Sequence, residues 1–150
     1  MSDAQSSFIY VSYIRTTPEK LWAALTLPEF TKLYWFGVSM QSEWKAGSPW
    51  KMTYEDGRVT DAGEILEADP PRRLVIKWRN EMRPDLTAEG YSRCTMELQA
   101  MGELVKLSIL HEIDVPKAKL IEAVSGGWPM IISNLKSLLE TGAATMPAKP

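Results

Sequence analysis

Imidazoles and thiols are almost missing from this chain: among 150 residues there is one histidine, His111, and one cysteine, Cys94. A lone cysteine cannot close an internal disulfide, and one His with one Cys cannot supply a structural zinc site. Any Ser-His-Asp or Cys-His mechanism would have to pass through His111. No apolar run approaches the roughly 20 residues that a membrane helix needs, so membrane insertion is not expected. The first seven residues are small and polar and lack the basic-then-apolar order of a secretory signal, so cytoplasmic residence is expected. Neither sign of charge dominates, with 17 basic against 19 acidic residues. Nucleic acid is therefore not indicated as a partner. Gly126-Gly127 is no phosphate loop, because helix-like sequence precedes it and no Lys-Ser/Thr pair follows. No metal and no cofactor are expected.

What is abundant is tryptophan, with six residues, in a chain that is 45% hydrophobic and 24% charged. That balance describes a folded domain rather than a disordered chain. A domain of this length buries roughly two-thirds of its unfolded surface, enough for a core without covalent staples. One domain over residues 8–141 is expected, with a flexible N-terminus at 1–7 and a flexible tail at 142–150.

Residues 8–14 are rich in β-branched and aromatic side chains and read as a strand. Thr17, Pro18 and Glu19 start a helix: Thr caps, Pro tolerates the first turn and Glu favours the positive end. Leu21, Trp22 and Leu25 give it an apolar stripe. Pro28 and Glu29 open a second short helix that stops near Gly37. From there to Ile113 the period becomes two. Trp50, Met52 and Tyr54 share one face, as do Leu74, Ile76 and Trp78, then Cys94, Met96 and Leu98, then Leu107, Ile109 and His111. Asp56-Gly57 marks a hairpin turn, and residues 80–90 form a polar loop. Trp128, Ile132, Leu135 and Leu139 make a broad helical stripe that Gly142 ends. This last helix begins after Gly126-Gly127, or near Pro116 with Pro129 at a kink. The order is strand, two short helices, about six antiparallel strands and one long helix. It predicts an α+β fold whose long helix covers the apolar face of the sheet.

Several segments resemble the START-like, helix-grip superfamily, and more narrowly its activator of Hsp90 ATPase branch, also described as polyketide-cyclase-like. They are residues 17–26 with Pro28-Glu29, Trp35-Phe36, Gly47-Ser48-Pro49-Trp50, residues 63–67, Pro70-Pro71-Arg72-Arg73-Leu74 leading to Trp78, residues 107–112, and Gly127-Trp128-Pro129. The resemblance spans about residues 8–141. It implies a curved sheet of six or seven strands gripping the C-terminal helix around an elongated apolar cavity. It also implies an apolar or amphipathic small molecule as the partner. The eukaryotic namesake carries an extra N-terminal domain, so an Hsp90-type chaperone is not expected as a partner here. A homodimer remains open.

The candidate ligand-binding residues are Trp35, Trp50, Tyr54, Trp78, Met96, Ile109, His111, Trp128 and Ile132. Their strand and helix positions face a common interior, as the walls of an apolar pocket would. Packing alone could also account for them: a buried aromatic covers roughly 150–250 Å² and contributes a few kcal/mol at about 25 cal/mol per Å². Trp22 reads as core. Trp35-Phe36 and Trp44 lie near loops, at a pocket mouth or on a docking patch. His111 is the weak catalytic candidate. It could be a polar handle in the pocket, a general acid–base, or a core histidine satisfied by its neighbours. Cys94 points inward as a small hydrophobe. The carboxylates Glu43, Glu55, Asp56, Asp61, Glu64, Glu67, Glu97, Glu112 and Asp114 fall at outward or turn positions and read as solvated surface. Binding is thus the leading function. A cyclase- or aromatase-type enzyme working through His111, or a chaperone-activator-like interaction module, is the alternative.

Overall fold

A computed structural model describes residues 5–146. The end segments 1–4 and 147–150, assigned to flexible tails above, lie outside the described residues. The strands are β1 (Ser6–Arg15), β2 (Ser39–Ser42), β3 (Pro49–Thr53), β4 (Val59–Asp69), β5 (Arg73–Asn80), β6 (Ser92–Met101) and β7 (Leu104–Ile113). The helices are α1 (Pro18–Thr26), α2 (Pro28–Tyr34), α3 (Pro84–Thr87) and α4 (Lys119–Thr141). The strands form one antiparallel sheet in the order β1-β7-β6-β5-β4-β3-β2. This is the α+β helix-grip arrangement expected from the sequence. β1 starts at Ser6, earlier than its apolar pattern, because Ser6 pairs with Ile113 and the Ser6 hydroxyl accepts from Ala118 N at 3.0 Å.

Local chemistry sets the helix ends. The Thr17 hydroxyl accepts from Lys20 N at 3.2 Å with Pro18 in the first turn, and α1 stops where Leu27 precedes Pro28 in extended backbone. The polar loop expected at 80–90 contains α3, whose Leu86 is buried against Ile113, Ala118 and Leu120.

The last helix takes the earlier of its two expected starts. It places Gly126, Gly127 and Pro129 in its interior, where each weakens a helix. Two features compensate. The Glu89 carboxylate accepts from Lys119 N at 2.7 Å and from Leu120 N at 2.9 Å, capping the free amides from a distant loop. Leu120 also packs into the small cluster around Leu86. Gly142 closes the helix at φ +89°, its amide bonded to Leu138 O at 2.9 Å.

The main core lies between the sheet and α4. β7 supplies Val105, Leu107, Ile109 and His111 at strict period two, and its next buried position, Ile113, goes to the small cluster around Leu86. α4 answers with Trp128, Ile131, Ile132 and Leu135. Gly63 on β4 pairs with Trp50 on one side and Trp78 on the other. A Cβ there would sit 1.7 Å from Lys77 O, so the row closes only around a glycine.

An aromatic cavity with one carboxylate

Four indoles gather where the end of α2 meets α4 over the sheet. The Trp78 ring centroid lies 4.5 Å from that of Trp50, 5.8 Å from Trp128 and 6.0 Å from Trp35. Trp35 and Trp128 meet edge to face at 5.2 Å. Tilted and edge-on pairs are the favoured geometries, each contributing about 0.5–1.5 kcal/mol beyond burial. Their N–H groups are treated differently. Trp128 Nε1 donates to His111 Nδ1 at 3.2 Å, and Trp78 Nε1 donates to Asp61 Oδ2 at 2.7 Å. Trp50 Nε1 is buried without a partner.

The Trp128 bond fixes the state of His111. An indole can only donate, so Nδ1 accepts and the ring proton sits on Nε2. Nε2 then donates to the Ser92 hydroxyl at 2.8 Å, which donates to Trp78 O at 2.9 Å. Both ring nitrogens are engaged inside the fold. Burial pushes the His111 pKa down to about 4, so the ring is neutral near pH 7. That is the geometry of a satisfied core histidine.

A cavity of about 330 Å³ opens beside this cluster. Trp35 and Phe36 form one wall, β4 and β5 give Asp61, Trp78 and Asn80, and α4 gives residues from Leu120 to Ile131. Its size lies at the low end of small-molecule sites. Asp61 is the one ionisable side chain among the lining residues. Burial raises its pKa above the usual carboxylate value, opposed by the bond from Trp78.

Of the residues expected to form the pocket, the structure brings Trp35, Trp78 and Trp128 to this cavity. Trp50, Met96, Ile109, His111 and Ile132 are buried in the core and do not line it. Tyr54 is half-buried outside the lining, with the Arg58 guanidinium 4.6 Å above its ring. Trp35 and Phe36 turn inward as cavity wall and do not form an exposed patch, and Trp44 packs against the core. Asp61 corrects the expectation of a solvated carboxylate. A register shift between Met52 and Thr53 interrupts the pairing of β3 with β4 and obscures the alternation there. Once Gly63 is known to face Trp78, Asp61 two residues earlier shares that face; the need of a buried indole N–H for an acceptor was the available clue. Asn80, directly opposite Asp61, and the α4 positions Ala123, Val124 and Gly127 were also missed. The sequence puts Asn80 at the start of the polar loop, and one of its two readings of the last helix leaves residues 123–127 outside it. Among the described residues, no three His, Cys, Asp or Glu side chains gather as a metal site. No helix of the described residues is long and apolar enough to cross a membrane.

Residues 15–140 match the family model described as activator of Hsp90 ATPase homolog 1-like protein. No curated protein matches the chain. Among solved structures, protein MLL2253 from Mesorhizobium loti is similar at TM-score 0.77 and 22% identity, over 90% of this chain and 97% of that one. The Aha1 dimer from Colwellia psychrerythraea is similar at TM-score 0.73 and 17% identity, over 91% and 98%. An HSP90 activator from Plasmodium falciparum, PFC0360w, gives 0.72 and 22%, over 89% and 95%. At these identities the likeness concerns the fold. With the model match running from the end of β1 to the end of α4, the chain belongs to the activator of Hsp90 ATPase homolog 1-like family.

Proposed function

We propose that this protein holds an apolar or amphipathic small molecule in the cavity between Trp35, Trp78 and α4. The observation that carries the reading is the cavity itself: about 330 Å³, walled by three indoles and aliphatic side chains, with polar groups confined to Asp61 and Asn80. Apolar walls with a few placed polar groups are how small-molecule sites are built. The enzyme alternative has weaker support, because both His111 nitrogens are occupied and the ring lies outside the lining. The interaction-module alternative loses Trp35 and Phe36 as a docking patch, since both face the cavity.

Gly127 offers a test at a position with room for a side chain. It lines the cavity, and an added Cβ meets nothing within 4 Å. Gly127→Leu should fill the space and also favour the helix. Native mass spectrometry and tryptophan-fluorescence titration against a panel of lipids and aromatics should show a bound molecule in the parent and none in Gly127→Leu. If the parent binds no member of the panel, or the filled variant binds equally well, the cavity is not a ligand site.

A further inference from the structure

Among the described residues, the carboxylate in the cavity has no counter-ion: no basic nitrogen forms an ion pair with Asp61. The neighbouring cation Arg79 is turned away: its Nη2 donates to Glu81 Oε1 at 3.0 Å, and its guanidinium lies 4.6 Å over the Tyr91 ring. Arg58 is paired with Asp56 at 2.8 Å, and Arg83 with Asp85 at 2.9 Å. The lining contains no Lys, Arg or His. Asp61 is held in place by the Trp78 indole N–H at 2.7 Å, a contact that offsets part of the burial that raises its pKa. Three indoles, Trp35, Trp78 and Trp128, line the same space. Their faces carry negative charge density.

Removing a charge from water without a counter-ion is unfavourable: the Trp78 N–H offsets part of that cost, and the indole faces offer a carboxylate nothing. A cation reverses both terms. It supplies the missing counter-charge in a medium where attraction is stronger than in water, and it is attracted to the indole faces. An anionic ligand would meet Asp61 with like charge and no basic residue among the lining. We propose that the molecule held in this cavity is an organic cation, an apolar or aromatic body bearing a protonated amine or quaternary ammonium. Asp61 is its ion-pairing residue, and the three indoles form its cage. This rests on the cavity being a binding site and specifies the chemical class it selects.

Three probes of matched shape separate the two claims: naphthylmethylammonium, naphthylmethanol and naphthoate, titrated calorimetrically into the full chain at neutral pH. The ammonium should bind about tenfold or more tightly than the alcohol, and the carboxylate most weakly. Asp61→Asn keeps the size and an acceptor for Trp78, and it should erase the advantage of the ammonium over the alcohol. If the alcohol binds the parent as tightly as the ammonium, or Asp61→Asn keeps the ammonium preference, the assignment of a cation falls while the cavity reading stands. If none of the three binds the parent, both fall. The ranking within the parent protein decides the matter even should the variant not fold.

Discussion

Trp50 and Trp78 stand two strands apart, yet their ring centroids approach to 4.5 Å across Gly63. Strand spacing puts their backbones roughly 9.5 Å apart, so the rings must lean over the residue between them. Gly63 puts no side chain in the row, and the surrounding backbone has closed on it until Lys77 O occupies the place of a Cβ. Gly63→Ala should therefore force β4 away from β5 and cost about 3 kcal/mol or more. Urea unfolding measures this; a variant within about 0.5 kcal/mol of the parent would show that the row tolerates a side chain.

The indole N–H groups make a second, opposite pair of expectations. Trp128→Phe removes the donor that occupies His111 Nδ1 and leaves that buried nitrogen unpaired. Trp50→Phe removes a buried N–H that has no partner, so it relieves a polar cost while losing similar area. Trp128→Phe should be the more destabilising by about 1 kcal/mol or more, although both rings are deeply buried. Denaturation of the two variants side by side checks the order, and the reverse order would contradict the bonding assigned to both indoles.

Periodicity carries the fold well and the site poorly, for one reason. On β7 every second residue from Val105 to Ile113 is buried, so the alternation in the sequence is the alternation in space. On β4 the pairing shifts beside Thr53 and again between Ile65 and Glu67, so Asp61 cannot be placed by counting. The start of α4 was ambiguous because what holds it, Glu89 on two backbone amides, comes from thirty residues earlier. A glycine pair and a proline argue locally against helix, and only the distant cap and the Leu86 cluster override them. The indoles could be assigned to an interior but not divided between core and cavity. That division depends on where α2 delivers Trp35.

His111 sets a pH dependence with a definite sign. Its folded pKa of about 4 lies below the ordinary value of 6.5, so the unfolded chain binds the proton more readily. The stabilisation is fully present above pH 6.5 and is lost as pH falls towards 4, an effect of about 3 kcal/mol at most. Unfolding free energies of the parent and of His111→Gln, compared at pH 7.5 and 4.5, isolate this group from the other titrations. The gap between them should shrink in acid; parallel profiles would mean that His111 does not carry the effect.

Cys94 is completely buried and faces the core, and burial pushes its thiol well above the usual range. Little thiolate forms and no reagent reaches it. Labelling with a chromogenic disulfide should therefore follow unfolding, accelerating in urea in step with the loss of circular dichroism. Rapid labelling in native buffer would require a local opening between β5 and β7.

A single amide ties the end of α2 to the chain beyond α4. Asn134 is fully buried; its Nδ2 donates to Tyr34 O and to Met146 O, each at 3.2 Å, and its Oδ1 accepts from Met146 N at 2.7 Å. Met146 thus exchanges both backbone groups with one side chain, as a strand partner would, although no strand is present there. Trp35 follows Tyr34 directly, so this clamp also steadies the cavity wall. Asn134→Leu keeps similar bulk but strips three hydrogen bonds, and a buried carbonyl left unpaired costs about 1–3 kcal/mol. The Met146 amide can escape to water where Tyr34 O cannot. Hydrogen exchange should therefore show Met146 losing its protection entirely, while amides of β6 and β7 lose only what global stability loses. Retained protection at Met146 in the variant would mean that the segment is held by packing and not by Asn134.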